Sequence, residues 1–138
     1  MKIIGLYGRG DCGKSETLGI YLRSLVHGID LSKAEGIFGG NKDLRESINS
    51  NGTIVDICPP GDTEKIVKDN IDFIKQNPCD IVFTATRSWG KGCEALKTYA
   101  KSINAELVWI KKVYNDDLES DGQKVANKKI AENLFDMI

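Results

Sequence analysis

The sequence predicts an α/β protein, a three-layer α/β/α sandwich on a mainly parallel sheet of four or five strands, and three observations carry that prediction. Short apolar or β-branched runs alternate with stretches of helical periodicity along the whole chain. Each helical stretch is long enough for a right-handed crossover between parallel strands. A glycine-rich turn, Gly8-Arg9-Gly10-Asp11-Cys12-Gly13-Lys14-Ser15, joins the first strand to the first helix. At 138 residues the chain is read as a single domain, 1–138, able to bury about two-thirds of its unfolded surface.

Taken in order, Lys2 to Tyr7 is a buried strand, and Leu18, Tyr21, Leu22, Leu25 and Val26 fall on one face of the helix that follows. His27-Gly28 stops that helix, because glycine takes the left-handed cap conformation freely. From Ile29 to Gly52 the pattern is weakest. Ala34 to Phe38 reads as a short strand, Gly39-Gly40 as a turn, and Asn41 as the cap of a helix running through Leu44 and Ile48 to Asn51-Gly52. Thr53 to Ile57 is a β-branched strand carrying Asp56 near its end. Pro59-Pro60-Gly61 forces a loop ending at Asp62, the expected cap of a helix with Ile66, Val67, Ile71 and Ile74 inward.

Asn77-Pro78 closes that helix, and Ile81-Val82-Phe83 is a further buried strand leading into a second glycine-containing loop, Thr84 to Gly92. Leu96, Tyr99, Ala100 and Ile103 mark the next helix, and Glu106 to Ile110 the next strand. Ala126, Ile130, Leu134, Phe135 and Ile138 mark the closing helix. Only one short strand fits between the first helix and the Asp56 strand. The Asp56 strand is therefore expected directly beside the Ile3 strand.

The spacing G-x-x-x-x-G-K-S is that of a loop that cradles phosphate. Glycines let successive backbone N–H groups turn toward an anion, Lys14 is the reach to the β- and γ-phosphates, and the Ser15 hydroxyl is a ligand for Mg²⁺. The helix begins there, so its positive end adds to the field felt by Gly8 to Glu16. Lys14 is expected to face solvent. Cys12, inside the loop beside Lys14 and the helix start, is expected to be the most reactive of the four thiols. Asp56 is expected to support Mg²⁺, Gly61 to donate its N–H to a terminal phosphate, and Arg87, with Lys91, to meet a transferred phosphoryl group. His27, the one histidine, reads as a helix-end residue. Asn41-Lys42-Asp43 lacks the intervening residue of the guanine-reading N-K-x-D and reads as chance.

On the loop motif the chain resembles the P-loop NTPase superfamily. Asp56-Ile57-Cys58-Pro59-Pro60-Gly61 and the strand from Asp80 to Thr86 are similar, more weakly, to the D-x-P-P-G segment and following strand of the MinD, ParA and Mrp ATPases. Arg9 stands where that group often has a second lysine, and the Asp-to-Pro spacing is one residue longer. The resemblance implies a nucleoside triphosphate, ATP or another, as ligand with Mg²⁺, and places a nucleotide base near Val113-Tyr114-Asn115. It also implies a switch loop over Pro59 to Glu64 for a protein partner to read.

Composition narrows the alternatives. With 19 basic and 20 acidic side chains and a net charge of −1, the chain has no field for a polyanion, so nucleic-acid binding is not expected. Apolar content of 41% without a membrane-length run predicts no membrane span, and the chain is read as cytoplasmic. Cys12, Cys58, Cys79 and Cys93 show no metal-site spacing and are read as free thiols. Three functions fit the residues: slow hydrolysis of a nucleoside triphosphate, phosphoryl transfer to a small acceptor, and nucleotide binding without turnover. With only four arginines, Arg9, Arg23, Arg45 and Arg87, the kinase reading is the poorer of the two enzymatic ones.

Overall fold

The computed structural model describes every residue from 1 to 138. β1 (Lys2–Tyr7) leads through the glycine-rich loop into a helical run made of α1 (Lys14–Glu16), a π-helical stretch (Thr17–Leu22) and α2 (Arg23–Val26). A 3-10 turn (Leu31–Lys33), α3 (Ala34–Phe38) and a second 3-10 turn (Gly39–Asn41) precede the hairpin of β2 (Glu46–Ser50) and β3 (Thr53–Cys58). Then come α4 (Glu64–Gln76), β4 (Ile81–Thr86), α5 (Lys91–Ser102), β5 (Glu106–Lys111) and α6 (Ser120–Phe135). No helix is long and apolar enough to cross a membrane.

The five strands form one sheet in the order β2-β3-β4-β1-β5, parallel except for β2, which runs antiparallel to β3. This corrects the expected neighbour of β1. Ile3 lies opposite Val82 of β4, not beside the Asp56 strand. Strand β4 is buried at all six positions, and such a run suits a central strand covered on both faces.

Alternation along the strands sorts side chains into two cores. Ile4 and Leu6 of β1, Val55 and Ile57 of β3 and Phe83 and Ala85 of β4 pack with Leu18, Tyr21, Leu22 and Leu134 on the face covered by the loop helix and α6. Ile3, Cys58 and Val82 face the other way, against Val67, Ile71 and Ile74 of α4 and Leu96 and Tyr99 of α5. Helices on both faces make three layers. On the second face Gly5 leaves room for an aromatic ring, since a Cβ there would lie 2.7 Å from the Trp109 side chain.

The segment from Ile29 to Gly52 departs most from expectation. Ala34–Phe38 is helical rather than extended, and the expected helix from Asn41 is replaced by β2. Asn51 (φ 53) and Gly52 (φ 91) both lie in the left-handed region. That pair closes a two-residue turn whose twist suits a hairpin. The helix α4 is capped by Thr63, whose hydroxyl accepts from Ile66 N–H at 3.1 Å, and not by Asp62. Ile103, expected inward, lies just past the end of α5 and is exposed, as are Phe135 and Ile138.

Buried Arg23 fixes this segment to the helix. Its guanidinium donates to the carbonyls of Asn41 and Leu44 and pairs with Glu46 at 3.3 Å. The backbone also presses on the π-helical stretch at Gly19, where a Cβ would lie 1.6 Å from Lys42 O. Gly19→Ala must push the 39–43 segment outward, at a cost of about 1–3 kcal/mol. A urea midpoint unchanged from the parent would contradict this packing.

Candidate functional site

The carboxyl edge of the sheet opens into a polar cleft of about 610 Å³. The glycine-rich loop forms its floor and α6 one wall. Asp11 (φ 57) and Gly13 (φ 96) are left-handed, backbone of the kind that turns successive N–H groups into an anion-binding nest. Gly8 permits a close approach from below, because a Cβ there would lie 2.6 Å from Lys112 O and 2.9 Å from Cys12 Sγ. Asp11, Cys12, Gly13, Lys14, Ser15 and Glu16 all line the cleft. Five of its lining side chains are carboxylates and three are lysines, a formal excess of two negative charges.

Lys14 differs from its expected, solvent-facing position. It is only 5% exposed, and its ammonium folds back to donate to Gly8 O at 2.7 Å and Arg9 O at 2.9 Å. Asp62 Oδ1 stands 3.5 Å away. A buried ammonium requires such partners, since an unpaired charge out of water is costly. Cys12, expected to be the most reactive thiol, is also buried. It is 1% exposed, and burial shields a thiol from reagents.

The loops after β3 and β4 meet at this floor. Gly61 is pressed on β4, where a Cβ would lie 2.0 Å from Ala85 O. Buried Asn70 donates to Pro60 O at 2.7 Å and is itself held by Arg45 Nε at 2.7 Å. Arg87 Nε donates to Asp62 O at 3.1 Å, and its guanidinium reaches to 2.8 Å from the place a Gly10 Cβ would take. Thus Arg87 joins the Asp62 loop to the glycine-rich loop. Lys91 begins α5 and is exposed, and Trp89 stands 79% exposed between them, covering no core.

Asp56 is not among the residues that line the cleft. It is fully buried in the sheet, and neither carboxylate oxygen has a hydrogen-bond partner. Burial pushes its carboxyl up from 3.8, with Ser47 and Cys79 nearby pulling it partly back. Cys79 is raised in turn to about 12, by burial and then by the Asp56 charge. Asn115, too, is a brace: its Oδ1 accepts from Asp117 N–H and its carbonyl accepts from Gln123 Nε2 at 2.6 Å. The neighbouring Tyr114 lines the cleft instead, under the Arg9 guanidinium at 4.5 Å from the ring centroid.

Beyond the loop the cleft holds residues the sequence did not bring forward. Lys42 pairs with Glu16 at 2.8 Å, and burial, which pulls the Glu16 carboxyl up, is outweighed by that pairing, so the group sits below its usual 4.5. Tyr21 O–H donates to Glu35 at 2.9 Å, and Lys124 pairs with the same carboxylate at 3.3 Å. Asp43 also faces the cleft. The Asn41-Lys42-Asp43 run was the one signal for this wall. Asn127, packed on Gly13 from α6, gave none.

Magnesium fits this site only in part. Ser15 lines the cleft and Asp56 does not; the carboxylates that line it with Ser15 are Asp11, Glu16, Glu35, Asp43 and Asp62. No group of three or more Cys, His, Asp or Glu side chains is gathered to hold a metal. Mg²⁺ ordinarily takes one or two carboxylates with phosphate oxygens and water, which the cleft can provide. No family model, curated protein or solved structure matches the chain. Its class is set by its own fold and cleft, an α/β protein with a mostly parallel five-stranded sheet and a polar site at the carboxyl ends of the strands.

Asp56 gives a pH test. A carboxyl raised in the folded state favours folding at low pH, and that contribution is lost as pH rises from the unfolded value of 3.8 through the raised folded one. Asp56→Asn removes the titration, so the variant should gain on the parent as pH rises from about 4 to about 7. Denaturant midpoints at both pH values measure this. A variant that loses ground as pH rises would show that Asp56 is stabilised as a carboxylate.

Proposed function

We propose that the chain binds a nucleoside triphosphate, ATP in the first instance, with Mg²⁺ on the Gly8–Glu16 loop and hydrolyses it slowly, in the manner of the P-loop NTPases it resembles. The observation that carries this reading is the floor of the cleft. A left-handed glycine-rich turn opens onto a helix start, with a lysine ammonium held against its own loop carbonyls. Backbone N–H groups and one ammonium suit phosphate better than they suit a neutral ligand.

In this reading Asp62 is the moving part. Its carboxylate lies between Lys14 at 3.5 Å and Arg87 at 4.0 Å, in competition with a phosphate for the same cations. Ser15 with Asp43 would hold Mg²⁺, which would offset the negative excess of the cleft and charge on the phosphates. Lys14 and Arg87 would then turn from Asp62 to the terminal phosphate, freeing the Pro59–Glu64 loop to move as the switch a partner protein reads. A phosphotransferase reading has one observation in its favour. The cleft runs on past the loop to Tyr21, Glu35 and Lys124, space for a small polar acceptor.

Two substitutions test the site. Lys14→Ala should lower Mg·ATP affinity by about a hundredfold, the loss of a charged hydrogen bond to phosphate, with the fold checked by circular dichroism. Asp62→Asn should tighten binding by about threefold, since it removes a competing, half-exposed ion pair. Titration calorimetry with each protein decides. Parent-like affinity in a folded Lys14→Ala variant would refute the assignment of the loop.

A further inference from the structure

Four α6 side chains line the cleft, at Ser120, Gln123, Lys124 and Asn127, positions that share one helical face. Two have taken partners within the protein. Gln123 Nε2 donates to Asn115 O at 2.6 Å and Leu118 O at 3.3 Å, and Lys124 Nζ pairs with Glu35 at 3.3 Å. Asn127 has not. It is 6% exposed, and its Oδ1 is buried with no donor in reach.

Its position is fixed by Gly13, the residue before Lys14. A Cβ on Gly13 would lie 2.8 Å from Asn127 Oδ1 and 2.9 Å from Nδ2, so the amide lies against the glycine. A buried amide oxygen left unpaired is destabilising. An apolar side chain of the same size would fill the space without that cost. The terminal torsion of asparagine is broad, so the amide has freedom to rotate in the cleft wall that Asn127 lines.

We infer that Asn127 is a specificity-determining residue, which hydrogen-bonds the organic, non-phosphate end of a ligand whose phosphates lie on the loop. The inference rests on the phosphate-binding reading above. The ligand group is a donor, a sugar hydroxyl or a base N–H, because the unpaired atom is an acceptor. Tyr114 and Leu118, also in the cleft lining, give this end of the ligand apolar surface to rest on. Selectivity follows because a ligand without the donor leaves a buried polar group unsatisfied.

The test compares Mg·ATP with Mg·tripolyphosphate, which has the phosphates and no nucleoside, on the full chain and on Asn127→Leu. The variant should bind ATP about tenfold more weakly, the loss of one buried hydrogen bond, and tripolyphosphate as the parent does. 2′-Deoxy-ATP then separates the sources, since a sugar hydroxyl donor predicts that the parent binds it as weakly as the variant binds ATP. An equal loss for both ligands would make Asn127 a support of the loop, and no loss for either would make it inert; both overturn the inference and leave the phosphate reading standing. Failure of the parent to bind tripolyphosphate or any nucleotide overturns both. Asn127→Ser serves the same comparison if leucine prevents folding.

Discussion

A lysine held almost wholly out of water, on the carbonyls of its own loop, is the constraint on which the rest of this structure depends. An ammonium in that position needs acceptors on every side, and the loop supplies two of them only by folding over it. Gly8 must then pass close to β5, and Gly13 must take a left-handed turn under α6. The third acceptor, Asp62, comes from another loop, so the conformation of the residues after β3 is tied to the charge state and position of Lys14.

The sheet order serves the same constraint. With β4 beside β1, the loop that follows β4 brings Arg87 against both Gly10 and Asp62. Two cations and one carboxylate thus meet at a single floor, anchored on the far side by the Arg45–Asn70–Pro60 chain of hydrogen bonds. In the proposed function an anion entering there would take Lys14 and Arg87 from Asp62, whose half-exposed carboxylate would turn to water. That exchange is the physical basis of the proposed switch.

Much of this frame was legible in the sequence, for identifiable reasons. The strands β1, β3, β4 and β5 each carry an apolar run, β1 and β3 are bounded by glycine or proline, and the loop motif fixes its own local geometry. The hairpin strand β2 was hidden because it is an edge strand with a single buried residue, Ile48, among polar neighbours. Its Asn51-Gly52 turn was the available signal. Strand order was not legible, since it depends on which surfaces fit across the sheet. Asp56 was misplaced because a carboxylate on a β-branched strand suggests a metal, whereas here period-two alternation sends it into the core. Lys14 and Asn127 depend on contacts from residues far away in sequence, which no local pattern carries.

If phosphate takes Lys14 from its present partners, amide hydrogen exchange will register it. With Mg·ATP, exchange should slow at Gly10 to Glu16 and change at Gly61 to Thr63, while the amides of β5 and the body of α4 stay as they were. Slowed exchange centred elsewhere, or a change at the glycine-rich loop with none at Gly61 to Thr63, would contradict it.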